Sequence, residues 1–339
     1  MKIMLVGEAW GVEEEKEGKP FVGTSGFILN GMLRIVGINR SETYITNVFN
    51  LRPRPSNDII NLCGGKADAI PGLPALTKGK YVRREFGREI TRLFDEIKRE
   101  DPNVIVAFGA TAAWALLRTS GIRAIRGSVA GTHSDVSAKL GRTYKVVPTY
   151  HPAAVAREWT LRPIVINDLD KAKRKSASPE VKRPERSIWI EPTLADLQLY
   201  EDEYVKPASS LSVDIETKGD QITCIGFAPS PESAIVIPFY AEGYPGNNYW
   251  SDSQSELTAW NYVRRWCQKP SVFQNGLYDI HFLWRRYGIS VPNAIDDTML
   301  MHHAFQPEME KGLGFLASIY TDEQSWKFMR KTDTIKKEN

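Results

Sequence analysis

Residues 5–33 read LVGEAWGVEEEKEGKPFVGTSGFILNGML, and the order of elements in this stretch decides the first half of the chain. The apolar run at 3–6 predicts a strand. An acid, Glu8, follows at its end between Gly7 and Gly11. Pro20-Phe21 then precedes a small-residue turn and an apolar-periodic helix over 26–36. Ligands of open α/β sheets bind at strand ends. A carboxylate and an aromatic ring placed there suit a flat, polar ring such as a nucleobase taken out of its stack.

The alternation continues outward. Strand-like runs fall at 44–48, 103–108 and 144–148, with helical periodicity over 82–100, 111–119 and 164–175. This pattern predicts an α/β fold, a three-layer αβα domain with a mostly parallel sheet. Residues 50–80 are rich in Pro, Gly and Asn and predict a long loop. At 339 residues the chain should hold two domains. With 42% hydrophobic and 25% charged residues it reads as globular, and a net charge of +3 does not by itself indicate nucleic acid. No apolar run approaches the ~20 residues that span a membrane, and the first residues, MKIMLVGEAW, lack the apolar core and cleavage site expected of a signal peptide. The expected location is cytoplasmic, with no membrane partner. The three cysteines, Cys63, Cys224 and Cys267, are scattered and form no CxxC pair, which argues against a disulfide framework or a zinc site.

Residues 171–186, KAKRKSASPEVKRPER, hold seven basic residues, two acids and two prolines. The stretch is a solvated tether, a strap that contacts phosphates through Lys173, Arg174 and Lys175, or both. After it, runs at 188–190, 210–215, 222–228 and 233–239 alternate around Ser-Pro turns as antiparallel strands do. A helix over 256–268, a strand over 271–274 and helices over 277–287, 297–305 and 311–320 complete a mixed-sheet pattern. The expected boundaries are 1–175 for the first domain, 176–186 for a basic linker and 187–339 for the second. In Leu211-Ser212-Val213-Asp214-Ile215-Glu216-Thr217, two acids stand at i and i+2 and share one strand face. Two carboxylates aimed at one spot call for a cation between them.

Four segments in the first half resemble the uracil-DNA glycosylase superfamily, in its iron–sulfur branch. They are Gly7-Glu8-Ala9-Trp10-Gly11 with Pro20-Phe21-Val22-Gly23, then Tyr44-Ile45-Thr46-Asn47-Val48, Phe108-Gly109-Ala110-Thr111, and Thr149-Tyr150-His151-Pro152-Ala153-Ala154. Trp10 stands where that branch has proline. The resemblance implies that Phe21 stacks on the base and that Asn47 reads its pairing edge with an amide donor and acceptor. It implies that Glu8 stabilises the sugar cation or orients water, and that His151 donates to the leaving uracil. Residues 153–157, ending in the DNA contact Arg157, would form a wedge loop. Taken singly, Asn47 also suits a turn, His151 a cap and Phe21 the core. An iron–sulfur cluster takes four thiolates, so none is expected here.

The second half is similar to the DEDD-type 3′–5′ exonuclease domain of family A DNA polymerases, with a ribonuclease H-like mixed sheet. Asp214-Ile215-Glu216, Phe273-Gln274-Asn275-Gly276-Leu277-Tyr278-Asp279 and the segment from Asp297 carry the resemblance. It implies that Asp214, Glu216 and Asp279 ligate two Mg²⁺ or Mn²⁺ ions, with Phe273 and Asn275 lining the cleft for a DNA 3′ end. Asp279 also reads as a solvated helix acid, and Asp297 as an N-cap. A fourth acid in a Tyr-x-x-x-Asp motif is missing up to the polar end at 334–339. That implies a truncated chain or a helix supplied by another polypeptide; were the chain alone to digest DNA rapidly, Asp297 or Asp322 would be the first suspects for a substitute ligand. The combined resemblance implies the N-terminal part, or a split subunit, of a bacteriophage DNA polymerase. Its partners would be DNA and a separately encoded polymerase in the cytoplasm of the host cell. The alternative is a non-catalytic module that grips DNA, or a modified base, for such a polymerase.

Overall fold

The computed structural model describes residues 2–181 and 184–323. They fall into two compact units. One takes the chain up to 182 together with the segment from Gly314 on; the other takes residues 183–313. The first crossing lies inside the expected linker. The second, at 313/314, has no signal in the local periodicity, because the Leu313–Tyr320 helix is continuous across it. The polar end at 334–339 lies outside the described residues.

The first unit is built on a five-stranded sheet. Its spatial order is Tyr44–Phe49, Ile3–Ala9, Val104–Phe108, Lys145–Thr149 and Ala130–Gly131. The first four strands run parallel and the edge strand antiparallel. Ile3–Ala9 is an interior strand, as its two apolar faces require. Met4 and Val6 enter one core with Ile105, Ala107 and residues of the Gly87–Glu100 and Gly109–Leu117 helices. Ile3 and Leu5 enter the other with Val104, Val106, Phe108 and residues of the Thr24–Val36 and Arg162–Lys175 helices. Alternate strand positions face opposite ways, so one short apolar run feeds two layers.

Residues 50–80 are packed rather than irregular. Cys63–Gly64 pairs with Tyr81–Val82, and Leu62, Leu76 and Val82 enter the core. The Pro74 carbonyl accepts the Trp114 indole N–H at 2.9 Å. A fully buried indole needs such an acceptor, and a loop rich in free carbonyls supplies it.

The second unit carries a six-stranded mixed sheet in the order Ala294–Asp297, Ser271–Phe273, Leu211–Lys218, Gln221–Ser230, Ser233–Pro238 and Ser187–Trp189. Leu211, Val213 and Ile215 point into a core with Ile225, Phe227, Ile235 and Ile237. Ser212, Asp214 and Glu216 alternate onto the exposed side. The Leu194–Tyr200 helix escaped the periodicity reading. Its signal was the capping box of Thr193 and Asp196. No described helix is long and apolar enough to cross a membrane.

Candidate active site

The C-terminal ends of the first unit's parallel strands open on a cavity of about 530 Å³. Glu8, Phe21, Asn47 and His151 all line it. Small-molecule sites run from about 300 to 1,000 Å³, so a nucleobase fits. Trp10 forms part of the wall and leaves the space open. Its backbone N–H donates to the Leu51 carbonyl at 3.2 Å, a bond that proline could not make.

Gly7 makes the close approach possible. It sits beside Asn47 on the neighbouring strand. A Cβ on Gly7 would fall 2.2 Å from Asn47 Oδ1 and 2.6 Å from the Phe21 ring. Asn47 is 2% exposed, yet its side-chain amide has no hydrogen-bond partner among the described residues. An amide buried at a cavity wall in this state has its pairing capacity left for a ligand.

Phe21 takes a left-handed backbone conformation, with φ of 55°. Two side chains hold that turn. Glu14 accepts from Val22 N (3.1 Å), Gly23 N (3.0 Å) and Gly11 N (3.1 Å). The Arg40 guanidinium donates to the carbonyls of Pro20 and Phe21, both at 3.1 Å. Strained backbone persists only where neighbours over-determine it. The Phe21 ring stacks on His151 at 5.5 Å between centroids and meets Phe108 edge-on. A separation of 5.5 Å is a single ring–ring contact, so a base cannot enter between Phe21 and His151. It must sit on the cavity side of the pair. Phe21 is thus both a core residue and a cavity wall.

Glu8 accepts a short hydrogen bond from the Thr111 hydroxyl. Burial raises its pKa, and Thr111 and the Arg157 charge oppose the rise. His151 caps the Pro152–Arg157 helix, its Nδ1 accepting from Ala153 N at 3.1 Å. The expected wedge loop is therefore this helical turn, with Val155 fully buried and Arg157 exposed at the cavity. Burial first, then the Arg157 charge, lowers the His151 pKa from its usual 6.5 to about 4. A base with a depressed folded-state pKa adds stability that is full above its unfolded value and is lost as pH falls through the folded one. Stability should therefore drop by up to about 3 kcal/mol between pH 6.5 and 4. Urea unfolding of the chain and of a His151→Gln variant across that range tests this; equal losses in both would refute it.

Arg92 is a site residue that sequence reasoning missed. Its guanidinium donates to the carbonyls of Asn47 (2.8 Å) and Val48 (3.0 Å) and to the Thr46 hydroxyl (3.2 Å). Glu89 and Glu96 hold it from behind. Arg92→Ala should destabilise the first unit by about 2–3 kcal/mol. Arg92→Lys should not rescue it, because one ammonium cannot reproduce the planar fork. A denaturation midpoint of Arg92→Lys equal to that of the unaltered chain would overturn this.

The three basic residues assigned to a phosphate strap lie in the last turn of the Arg162–Lys175 helix, and each has a partner. Lys173 donates to the Val36 carbonyl at 2.7 Å, Arg174 pairs with Asp170 at 3.0 Å, and Lys175 pairs with Asp322. Phosphate contacts there would require exchanging these partners. Of the three cysteines only Cys63 belongs to the first unit. A four-thiolate cluster does not fit this donor set.

In the second unit, Asp279 is buried and its carboxylate accepts from Ile215 N at 3.1 Å, midway between Asp214 and Glu216. It does so where the Leu211–Lys218 strand has run past its pairing with Ser271–Phe273. It is not the solvated helix acid that composition also allowed. Burial raises its pKa to about 6, the Asp214 charge adding to the rise and the Ile215 N–H opposing it. The donor set of three carboxylates suits a hard divalent cation. Among the described residues, however, no three His, Cys, Asp or Glu side chains stand close enough to hold an ion as they are.

Asp297 is the expected N-cap, accepting from Met299 N (2.8 Å) and Leu300 N (3.3 Å). It also takes Asn275 N (3.1 Å) and Gly276 N (2.7 Å), fixing the left-handed turn at Asn275. With four backbone donors on it, Asp297 has little left for a metal. Asp322 belongs to the first unit. Phe273, expected in the cleft, is 3% exposed and lies in the core, because its strand position faces inward. Asn275 is exposed.

Residues 1–175 match the uracil DNA glycosylase superfamily. The chain belongs to that superfamily. Residues 196–338 match a second family, described as 3′-5′ exonuclease, so the chain joins a superfamily domain to an exonuclease domain. Among similar proteins is a type-4 uracil-DNA glycosylase of Thermotoga maritima, 36% identical over 174 residues, covering 51% of this chain and 76% of that protein. Another is the type-4 uracil-DNA glycosylase of Archaeoglobus fulgidus, 33% identical over 175 residues, covering 50% and 74%. A solved structure described as the apo form of a nuclease aligns at 15% identity with a TM-score of 0.25, covering 39% of this chain and 57% of that one.

Proposed function

We propose that the first unit excises uracil from DNA. The observation that carries this is the convergence of Glu8, Phe21, Asn47 and His151 on one ring-sized cavity at the strand ends. A base flipped into it would meet the Asn47 amide on its pairing edge. As the bond from C1′ to N1 breaks, negative charge on the leaving uracil falls to the His151 Nε2–H. The positive sugar falls to Glu8. Water adds its hydroxyl to C1′ and gives up its proton to the Glu8 carboxylate or to solvent. Release of uracil from single- and double-stranded oligonucleotides, with Glu8→Gln as control, tests this. A cavity that binds uracil-containing DNA without releasing the base would make it a reader of modified DNA.

For the second unit we propose metal-dependent 3′–5′ exonuclease action, with Asp214, Glu216 and Asp279 as the residues that would hold Mg²⁺ or Mn²⁺. Such a cation would supply an activated water for attack on the terminal phosphodiester. Because the Asp279 carboxyl must lose its proton first, Mn²⁺ affinity should weaken as pH falls through about 6. Titration calorimetry at pH 7.5 and 5.5 reads this, and equal affinities would refute it. One rival reading is a module that grips DNA without cutting. Shortening of a 3′-labelled strand in Mn²⁺, lost in Asp214→Ala, decides between them. The full reading is a DNA repair or replication protein that works beside a separately encoded, phage-type polymerase.

A further inference from the structure

Away from the cavity, the first unit holds a charged cluster that base excision does not use. Asp168, Lys171 and Arg126 are 0%, 1% and 3% exposed. Asp168 accepts from the Arg126 guanidinium twice and from the Thr149 hydroxyl at 2.7 Å. Lys171 has its three donors on backbone carbonyls: Gly127 (2.6 Å), Thr321 (2.6 Å) and Ser318. Arg126 also donates to the Ser318 hydroxyl at 2.8 Å and lies over the Phe315 ring. Val129 N reaches the Asp322 carbonyl, and Lys175 pairs with the Asp322 carboxylate.

Two of the three acceptors of Lys171 thus come from the returning segment, at the C-terminal end of the Leu313–Tyr320 helix. Helix ends leave carbonyls without partners, and a cation is favourable there. Burial lowers the Lys171 pKa to about 8, with Asp168 opposing, so the group is still mostly charged at neutral pH. A second observation is independent of charge. Gly127 has φ of +72°, and a Cβ there would fall 2.7 Å from both the Ser318 carbonyl and the Asp168 carboxylate. The backbone is built for this close approach. The cluster also reaches toward the cavity. Thr149 ends the strand that delivers His151, and Gly127 N donates to the Pro148 carbonyl of that strand at 2.8 Å.

We propose that residues 314–322 are a positioning segment of the base site: by satisfying Lys171 and Arg126 they keep Asp168 on Thr149, and so hold the strand end that presents His151. The activity part of this inference rests on the excision reading above; the structural part does not. The segment itself does not line the cavity.

Hydrogen exchange on the full chain tests it. Ser318→Pro breaks the turn that presents the Ser318 and Thr321 carbonyls. Backbone amides at 127–129 and 145–151 should then exchange at least tenfold faster, while those of Ile3–Ala9 and of the second unit stay as they were. Adding Lys171→Met, which removes a buried cation left with one of its three acceptors, should restore much of the protection. Unchanged exchange at 145–151 in Ser318→Pro overturns the proposal. So does a double variant no better protected or folded than Ser318→Pro alone. Uracil release should fall with protection in Ser318→Pro and recover in the double variant. If exchange behaves as stated but the unaltered chain releases no uracil, the excision reading fails and the positioning segment stands.

Discussion

Gly7→Ala is expected to cut uracil release by at least about a hundredfold while the chain still folds. The added methyl has nowhere to go. It would sit 2.2 Å from Asn47 Oδ1 and 2.6 Å from the Phe21 ring, closer than a Cβ can approach either. The backbone is held on both sides, after Phe21 by Glu14, at Phe21 by Arg40 and at Asn47 by Arg92, so the side chains must give way. One of them must move out of the cavity wall. Overpacking of this kind costs about 1–3 kcal/mol, within the margin of a folded domain. The activity loss should be larger than the stability loss suggests, because a displacement of about 1 Å in a positioning group costs on the order of a hundredfold in rate. Thermal melting and single-turnover uracil release, measured together, test this. Normal release in a Gly7→Ala chain would mean that Asn47 and Phe21 do not contact the base.

His151→Ala is expected to lower the rate of release by about 10² to 10³ with little change in affinity for uracil-containing DNA, the usual cost of losing a hydrogen bond made to charge that develops in the transition state. The Ala153 N–H can be accepted only by an unprotonated Nδ1, which leaves the ring proton on Nε2. Burial keeps the ring neutral, with its pKa lowered to about 4. The donor is therefore an uncharged imidazole. The rate profile of the unaltered chain should show no His151 inflection near pH 6.5. An inflection there that vanishes in His151→Ala would rule out the neutral donor. The variant also loses its helix cap, at about 1 kcal/mol, so rates should be compared well below its melting temperature.

What the sequence disclosed and what it hid follow one physical line. Leu211–Lys218 announces itself through period-two burial, Ile3–Ala9 through a short continuous apolar run buried on both faces, and Asp297 through its place before a helix. Glu8 and Phe21, expected from their place after the first strand, and Asn47 and His151, expected from motif resemblance, all line one cavity. Arg92, Glu14 and Arg40 were not legible, since they act by donating to or accepting from backbone atoms far along the chain. A carbonyl looks the same in every residue, so no spacing rule marks which one an arginine will reach. The same holds for the return of residues 314–323 to the first unit, where Lys171 binds carbonyls and not side chains. Phe273 misled for the opposite reason. Its motif position resembled a cleft residue, while strand alternation turned it inward.

The returning segment also sets an order of events at the ribosome. N-terminal domains usually fold as they emerge, at about 5–20 residues per second. Here Arg126 and Lys171 emerge long before Ser318 and Thr321, with the whole stretch from 183 to 313 still to be made. For roughly seven to thirty seconds the nascent first unit must keep these two cations hydrated in an unfinished seam. Its last folding step therefore waits until the inserted exonuclease-type domain has itself been synthesised, so the glycosylase-superfamily half is completed last although it is translated first.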